Sequence, residues 1–225
     1  MIGKLYIVST PIGNLGDITL RAIETLKSVD FIVCEDTRVT SILLNHLQIK
    51  KELRSLNAAN EKFKAEKVIE RLESGESCAL VSDAGTPGIS DPGTRLINLA
   101  IKKNVEVIPI PGTTALIAAL TLSGFPTDSF VFIGFLPNKK GRQKELKQLA
   151  DEERTIVLYE STYRIKKLIE ELNQLIRERQ IVIGRELTKK FEEVIRGTAQ
   201  SIHGKIEELT LKGEFVVVIA PKNWK

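Results

Sequence analysis

Cysteine and histidine are both scarce in this chain, and their scarcity excludes whole classes of site. The sequence contains two cysteines, Cys34 and Cys78, and two histidines, His46 and His203. The cysteines lie in separate apolar runs, so they form neither a Cys-x-x-Cys pair nor the disulfide framework of a small secreted domain. Because thiol and imidazole ligands are so few, the sequence predicts that no metal is bound.

The chain also lacks an uninterrupted apolar stretch of membrane-spanning length. Residues 107–127 carry no charge, but three prolines and two glycines divide them into strand, turn, helix and turn. The first residues, MIGKLYIVSTP, have neither the basic start nor the cleavage site of a signal peptide. These features predict a cytoplasmic protein without a membrane partner.

The remaining composition is that of a globular protein. Of the 225 residues, 42% are apolar and 28% are charged, and the formal net charge is +4. A chain of this mass buries roughly 70% of its unfolded surface, so it forms a core without disulfides. Segment 138–149 has five basic residues and one acidic residue, an excess equal to the net charge of the whole chain. That segment is either a solvated helix face or a place of phosphate contact.

Short apolar runs alternate with amphipathic stretches, which is the pattern of βαβ units around a parallel sheet. Strands are predicted at 5–9, 30–35, 77–82, 105–110, 130–135, 154–160, 180–186, 191–197 and 214–220. Helices are predicted from Asp17 to about Ser28, from Asn60 to Gly75, and from Asp91 to about Asn104. Several later strands are too closely spaced for intervening helices. We therefore expect an N-terminal α/β domain, 1–118, with a mostly parallel sheet, and a C-terminal α/β domain, 119–225, with a mixed sheet.

Three loops that contain glycine and proline follow predicted strands. They are STPIGNLGD at 9–17, SDAGTPGISDPG at 82–93 and the start of IPGTTALIAAL at 110–120. None of them is a G-x-G-x-x-G or P-loop motif. Each alone fits a structural turn, although loop 82–93, with three glycines and two prolines, favours close backbone approach to a ligand. Because open α/β sheets bind ligands beyond the carboxyl ends of their strands, the three loops together predict one ligand site.

Segment CEDTR, 34–38, ends another predicted strand at the same edge of the sheet. Its charged residues are Glu35, Asp36 and Arg38. They form either an ion pair that stabilises the start of a helix or a charged part of the ligand site. The sequence leaves both interpretations open.

The order of these motifs resembles the ribosomal RNA small subunit methyltransferase I family, a branch of the tetrapyrrole methylase superfamily. The similarity extends from about residue 4 to 220 through STPIGNLGDITLRAIETL, CEDTR, SDAGTPGISDPGTRLI, IPGTTALIAALTLSGFPTDSFVFIGFLPNKKGR and GRELTKKFEEVIRGT. The resemblance implies a homodimer of two-domain subunits with S-adenosylmethionine bound in the inter-domain cleft. It also implies methylation of the 2′-hydroxyl of a cytidine ribose in the decoding region of 16S rRNA.

The resemblance further implies which residues form the site. Cofactor binding is expected at Pro11, Ile12, Gly13, Asp83, Ala84, Gly85, Thr86, Pro87, Ile89, Thr113, Thr114 and Ala115, with Tyr159 closing the cleft. A carboxylate that accepts the proton of the ribose hydroxyl would assist the reaction. Placement at strand ends, rather than the resemblance, suggests Asp36, Glu160 and Glu186 for this role, with Arg38 positioning a phosphate or the carboxylate. RNA contacts are expected at Lys139, Lys140, Arg142, Lys144 and Arg164, and no metal is implied.

Two departures from the family's pattern remove histidines. The chain has Asn57-Ala58-Ala59-Asn60-Glu61 in place of His-x-His-Asn-Glu, and Thr162-Tyr163-Arg164 in place of Pro-His-Arg. A histidine base is therefore absent at both places. The sequence ends soon after EFVVVIAPKNWK, whereas relatives often continue into a helical extension. RNA contacts made by such an extension are therefore not carried over from the family.

Two other functions remain open. One is methylation of a tetrapyrrole or another small molecule, which would not need the basic segment 138–149. The other is RNA binding without catalysis in ribosome assembly, which has little use for three converging strand-end loops because it depends on basic and stacking residues. Aromatic residues form 5% of the chain and no RRM-like motif occurs, which favours recognition of a folded rRNA surface over single-strand binding.

Overall fold

The structure, a computed structural model, describes residues 1–224 and consists of two compact units. The first unit is Met1–Thr114, and the second begins at Ala115. The expected boundary at residue 118 lies inside the helix Ala115–Ser123, which belongs entirely to the second unit. Each unit is described separately below.

The first unit contains a five-stranded sheet in which every neighbouring pair of strands is parallel. Its elements are β1 (Lys4–Val8), α1 (Leu20–Ser28), β2 (Phe31–Cys34), α2 (Thr37–His46), β3 (Glu52–Ser55), α3 (Glu61–Glu73), β4 (Cys78–Leu80), α4 (Thr94–Lys102) and β5 (Glu106–Ile110). The strand order is β3-β2-β4-β1-β5. The parallel N-terminal sheet predicted from the sequence is confirmed.

Helices cover both faces of this sheet. On one face, α3 and α4 pack Leu72 and Leu96 against β1 and β4. On the other face, α1 and α2 pack Leu26 and Leu44 against the same central strands. Strands that are buried on both faces have continuous apolar sequences, which explains why the central strands were predictable.

Two helices begin later than predicted. Helix α1 begins at Leu20, because the Thr19 hydroxyl accepts the N–H of Ala22 at 3.1 Å, whereas Asp17 ends a short 3-10 turn. Helix α4 begins at Thr94 after Gly93, whose φ is +127°. Asp91 therefore lies in loop 82–93 rather than at the helix start.

Strand β3 is absent from the sequence-based prediction. Its residues, Glu-Leu-Arg-Ser, alternate between exposed and half-buried. They pair only with β2, at the edge of the sheet. A four-residue polar edge strand has no apolar run to identify it.

The second unit contains a five-stranded mixed sheet, as predicted. Its elements are α5 (Ala115–Ser123), β6 (Phe130–Phe135), α6 (Arg142–Asp151), β7 (Thr155–Ser161), α7 (Ile165–Leu175), β8 (Gln180–Arg185), β9 (Glu193–Thr198), α8 (Ala199–Gly204) and β10 (Glu214–Ile219). The order is β6-β7-β10-β8-β9, in which only β6 and β7 are parallel neighbours. Helices α6, α7 and α8 cover one face with a core that includes Leu146, Leu168 and Ile202.

Helix α5 contacts strands β7, β8 and β10 of the second unit. It consists of Ala, Leu, Ile, Thr and Ser alone, and its Leu116 and Leu120 are buried. This helix contains the middle of the uncharged stretch at 107–127, so the division of that stretch into strand, turn and helix is confirmed. Within residues 1–224, no helix combines the length and the apolar character needed to cross a bilayer.

Candidate functional site

The strand order of the first unit marks a ligand position at the carboxyl ends of β1 and β4. Strand β1 leads to α1 on one face of the sheet, while its neighbour β4 leads to α4 on the opposite face. Adjacent parallel strands whose connections leave on opposite faces form the topological switch point at which open α/β sheets bind ligands. Loops 9–17 and 82–93 begin there.

Hydrogen bonds join the three predicted loops to one another. Thr10 and Gly85 exchange backbone bonds, with the Thr10 N–H 2.9 Å from the Gly85 carbonyl and the Gly85 N–H 3.0 Å from the Thr10 carbonyl. The Thr86 hydroxyl donates to the Thr113 carbonyl at 3.0 Å. The Thr113 hydroxyl donates to the Thr10 carbonyl at 2.6 Å. The predicted convergence of the loops is therefore confirmed.

Gly85 permits this close packing of loop against loop. Its φ is +80°, a conformation that favours glycine. A Cβ atom at this position would lie 3.2 Å from the Ile12 side chain and 3.6 Å from the Thr113 carbonyl oxygen. The glycine is thus required where the loops meet, because a side chain here would push them apart.

The residues expected to bind the cofactor differ in how accessible they are. The buried ones are Pro11, Ile12, Gly85 and Pro87. The half-buried or exposed ones are Gly13, Asp83, Ala84, Thr86, Ile89, Thr113, Thr114 and Ala115. That these residues bind the cofactor stays a prediction.

Loop 82–93 is fixed at its far end by Glu61, the first residue of α3. One carboxylate oxygen of Glu61 accepts the backbone N–H groups of Gly93, Arg95 and Leu96, at 3.1, 3.0 and 3.2 Å. These groups lie at the start of α4, where backbone N–H groups have no partner within the helix. A negative charge is also favourable at a helix N-terminus. Sequence reasoning missed this role, although Glu61, together with Asn60, keeps the family's pattern in the Asn57–Glu61 segment.

Carboxylates cluster beside the same loops. The backbone N–H of Asp36 donates to an oxygen of Asp83 at 3.0 Å. Burial raises the pKa of Glu35, and the nearby charges of Asp83, Asp91 and Asp36 raise it further. Burial also raises the pKa of Asp83. Glu35 was recognised in the sequence only as part of CEDTR, and its raised pKa identifies it as a proton acceptor candidate.

Asp36 and Arg38 form the ion pair that the sequence left open. Their side chains approach to 2.5 Å, and Asp36 also accepts the backbone N–H of Arg38 at 2.8 Å as the cap of α2. The side-chain and backbone hydrogen bonds from Arg38 lower the pKa of Asp36 to about 2. Asp36 is therefore ionised at neutral pH and is a weak proton acceptor there.

Tyr159 lies on β7 in the second unit. Its hydroxyl accepts the backbone N–H of Leu116 at 3.2 Å, at the start of α5. Its ring packs against the rings of Phe132 and Phe135, with centroids 5.0 and 5.7 Å apart. Tyr159 therefore has a fixed position close to the residue Ala115 that is expected to bind the cofactor.

The expectation that Arg142 contacts RNA is wrong in this structure. Arg142 is 3% exposed, and its guanidinium makes three hydrogen bonds to Glu171, the shortest at 2.7 Å. It also lies 3.9 Å from the buried Glu160 and donates to the Pro137 carbonyl. A phosphate in solvent cannot reach this group, so Arg142 supports the structure from below the surface.

Glu160 and Glu186 both have structural partners. The Glu160 side chain is fully buried and lies 2.7 Å from the Arg164 guanidinium. Burial alone would raise the pKa of Glu186, but hydrogen bonds from the Glu214 N–H and from Lys189 lower it overall. Glu186 therefore lacks the raised pKa that would suit a proton acceptor. The catalytic role of both carboxylates remains a prediction from placement.

The other residues expected to bind RNA differ in exposure. Lys139, Lys140 and Lys144 are exposed on and before α6. Arg164 is half-buried, and besides Glu160 it donates to the Leu136 carbonyl at 2.9 Å. The exposed lysines after β6 therefore accompany one buried arginine, Arg142, and one half-buried arginine, Arg164, and both arginines are paired with carboxylates.

Comparison with known proteins shows that the chain is similar in sequence to one family and to curated proteins that share one name. Residues 4–203 match the family described as Tetrapyrrole (Corrin/Porphyrin) Methylases. The chain is 51% identical over 221 residues to the Ribosomal RNA small subunit methyltransferase I of Synechocystis sp., covering 97% of this chain and 79% of that protein. It is 44% identical over 221 residues to the protein of the same name from Thermotoga maritima, covering 98% of this chain and 100% of that protein.

Solved structures share the fold at lower identity. The crystal structure of diphthine synthase matches with a TM-score of 0.76 and 16% identity, over 97% of this chain and 90% of that one. The uroporphyrin-III C-methyl transferase of Thermus thermophilus, complexed with S-adenosyl homocysteine, matches with a TM-score of 0.67 and 16% identity, over 97% of both chains. The two-unit α/β architecture is therefore common to these proteins and to this chain.

Proposed function

The chain belongs to the tetrapyrrole (corrin/porphyrin) methylase family, and on that premise we propose that it methylates the 2′-hydroxyl of a cytidine ribose in 16S rRNA. The observation that supports this most is the identity of 44–51% over nearly the whole chain to proteins named Ribosomal RNA small subunit methyltransferase I. The exposed lysines after β6 add support, because a small-molecule substrate would not need them. The position in the decoding region follows from the sequence resemblance.

S-adenosylmethionine is the methyl donor, and the chemistry of the three loops fits it. Loops 9–17, 82–93 and 110–120 contain no lysine or arginine, while Asp17, Asp83 and Asp91 lie within them. Such loops suit a ligand with a positive sulfonium and ammonium group better than a dinucleotide with its phosphates. Their hydroxyl and backbone groups match the hydrogen-bonding groups of an adenosine and an amino acid. The accessible residues Ala84, Ile89 and Thr113 would hold the cofactor.

The cofactor supplies a methyl group that is already activated for transfer. The residues of the chain orient the ribose hydroxyl, exclude water and accept a proton from that hydroxyl. We propose Glu35 as the proton acceptor, because its raised pKa makes its carboxylate a better base than Asp36. Arg38 would then keep Asp36 ionised and fix the start of α2.

Paired substitutions test this assignment. We expect Glu35→Gln to lower kcat for methylation by roughly 10²–10⁴-fold and Asp36→Asn to lower it by less than about fivefold. Because only the ionised Glu35 accepts a proton, the wild-type rate should fall as the pH drops through its raised pKa. That fall should be missing from the residual activity of Glu35→Gln. A larger loss of kcat in Asp36→Asn than in Glu35→Gln would show that Asp36, and not Glu35, accepts the proton.

The substrate is tested by mass spectrometry of nucleosides. Small ribosomal subunits from a strain that lacks the gene are incubated with the protein and S-adenosylmethionine, and 2′-O-methylcytidine is expected in their 16S rRNA. Methylation of a base, or of uroporphyrinogen in place of RNA, would overturn the proposal. We also infer a cytoplasmic location, where these subunits are found, and a homodimer, which sedimentation velocity would detect.

The exposed lysines after β6 give a second prediction. The triple variant Lys139→Ala/Lys140→Ala/Lys144→Ala should bind RNA less tightly, with a salt dependence that is shallower by up to about 0.9 log units for each phosphate that the variant no longer neutralises. Its affinity for S-adenosylmethionine should not change. The matched control replaces three exposed lysines of the first unit, Lys27, Lys50 and Lys102. Equal salt slopes for the two triple variants would show that segment 138–149 is only a solvated face.

A further inference from the structure

Three segments of the second unit meet at one edge of its sheet. Strands β6 and β7 are parallel, and β8 runs in the same direction as β7 because both are antiparallel to β10. The carboxyl ends of β6, β7 and β8 therefore lie at one edge. The segments that follow them are 136–141, 162–164 and 186–192.

Each of these segments has an exposed aromatic residue in it or beside it. Phe135 at the end of β6 is 49% exposed, Tyr163 is 94% exposed, and Phe191 is 66% exposed. Large aromatic side chains usually bury most of their surface, and a group of exposed ones indicates an interaction site. We call these three residues the aromatic edge.

Cations accompany the rings of the aromatic edge. The Arg164 guanidinium lies 5.6 Å from the centroid of Phe135, and the Lys190 ammonium lies 5.5 Å from the centroid of Phe191. Lys139 and Lys140 are exposed in the segment directly after β6. Aromatic rings interleaved with cations are the surface on which proteins bind single-stranded nucleic acid, with bases stacked on the rings and phosphates near the cations.

We propose that the aromatic edge binds unpaired nucleotides of the RNA substrate by stacking their bases on Phe135, Tyr163 and Phe191. The inference rests on the proposed function, since it requires an RNA substrate, and it adds that the bound strand is unpaired there. A second copy of the chain fits this surface less well. A two-fold contact brings the same surface patch of both copies together, so the positive charges of Lys139, Lys140 and Lys190 would face the same charges of the other copy.

This proposal differs from the expectation, drawn from the sequence, that the chain recognises a folded rRNA surface. Aromatic residues are few and scattered along the sequence, so no stacking motif is visible there. The sheet brings three of them to one edge from positions up to 56 residues apart (191 minus 135). Only the topology of the second unit shows them as a group.

Fluorescence of 2-aminopurine in a ten-nucleotide single-stranded RNA tests the stacking, because stacking of this base quenches its emission. The wild-type protein should quench the probe. Each of Phe135→Ala, Tyr163→Ala and Phe191→Ala should weaken binding of the single strand by about fivefold or more, and the triple variant should abolish quenching. Phe135→Tyr should bind the single strand as tightly as wild type, because the ring is kept. The control is Trp224→Ala, which removes a 43% exposed ring and should behave like wild type. Trp224 follows the last residue of β10, and that end of the strand is at the sheet edge opposite the aromatic edge.

The outcomes separate this inference from the proposed function. If the wild-type protein methylates rRNA and the triple variant binds and quenches the single strand normally, the aromatic edge does not bind RNA. The proposed function is then unaffected. If the wild-type protein neither methylates rRNA nor binds the probe, both are wrong. A change in sedimentation of the triple variant with unchanged RNA affinity would make the edge a subunit interface. Since Phe135 also packs against Tyr159, the double variant Tyr163→Ala/Phe191→Ala repeats the test without that contact.

Discussion

Replacing Arg142 by methionine is expected to lower the free energy of unfolding of the second unit by about 3–5 kcal/mol. The guanidinium is the hydrogen-bonding partner of the buried Glu171 and lies near the fully buried Glu160. Methionine fills a similar volume without the charge, so the buried Glu171 loses its partner, whereas Glu160 keeps Arg164 at 2.7 Å. Urea denaturation followed by circular dichroism measures the change.

The control for this prediction is Lys144→Met on the same helix. Lys144 is exposed, so its replacement should change the free energy of unfolding by no more than about 0.5 kcal/mol. The double variant Arg142→Met/Glu171→Leu removes both charges and should recover most of the stability that Arg142→Met removes. Equal stability of Arg142→Met and Lys144→Met would contradict the buried pairing described for α6.

Replacing Glu61 by alanine should weaken the binding of S-adenosylmethionine by about tenfold or more, equivalent to about 1.4 kcal/mol. Three backbone N–H groups at the start of α4 would lose their common acceptor, and the far end of loop 82–93 would become free to move. The hydrogen bonds of Glu61 go to Gly93, Arg95 and Leu96, none of which we expect to contact the cofactor, so its effect acts through the loop. Isothermal titration calorimetry measures the affinity.

Two further variants show whether Glu61 positions the loop or only stabilises the unit. Glu61→Gln keeps an oxygen acceptor and should retain most of the affinity, while Glu66→Ala, on an exposed turn of the same helix, should retain all of it. If Glu61→Ala lowers the unfolding midpoint but binds the cofactor as tightly as wild type at 20 °C, loop 82–93 does not depend on this cap.

The sequence was sufficient to predict those parts of the site whose position depends only on chain order and sheet geometry. Loops 9–17, 82–93 and 110–120 each follow a parallel strand, and parallel strands must end at the same edge, so their convergence required no knowledge of side chains. The central strands were equally predictable, because burial on both faces leaves them continuously apolar. The short polar strand β3 has no such signal.

The sequence did not predict which groups the charged side chains pair with. Arg142 was counted with the lysines of its segment, yet it lies one and two helical turns before Leu146 and Leu149, which are both buried. That spacing places all three on one face of α6 and was the available signal for a buried arginine. For Glu61 no such local signal exists, since its backbone partners lie 32 to 35 residues further along the chain.

Pro109 affects whether a further strand can pair with the edge of the sheet in the first unit. It lies in β5, the edge strand beside β1. The Ile110 carbonyl accepts the N–H of Ser9, so the next residue inward along β5, Pro109, turns its backbone away from β1 and toward the open side. There it has no N–H to offer, and its carbonyl already accepts the Arg21 guanidinium at 2.6 Å. A further strand would find no donor at this position and an acceptor that Arg21 already occupies, and both features disfavour edge-to-edge pairing.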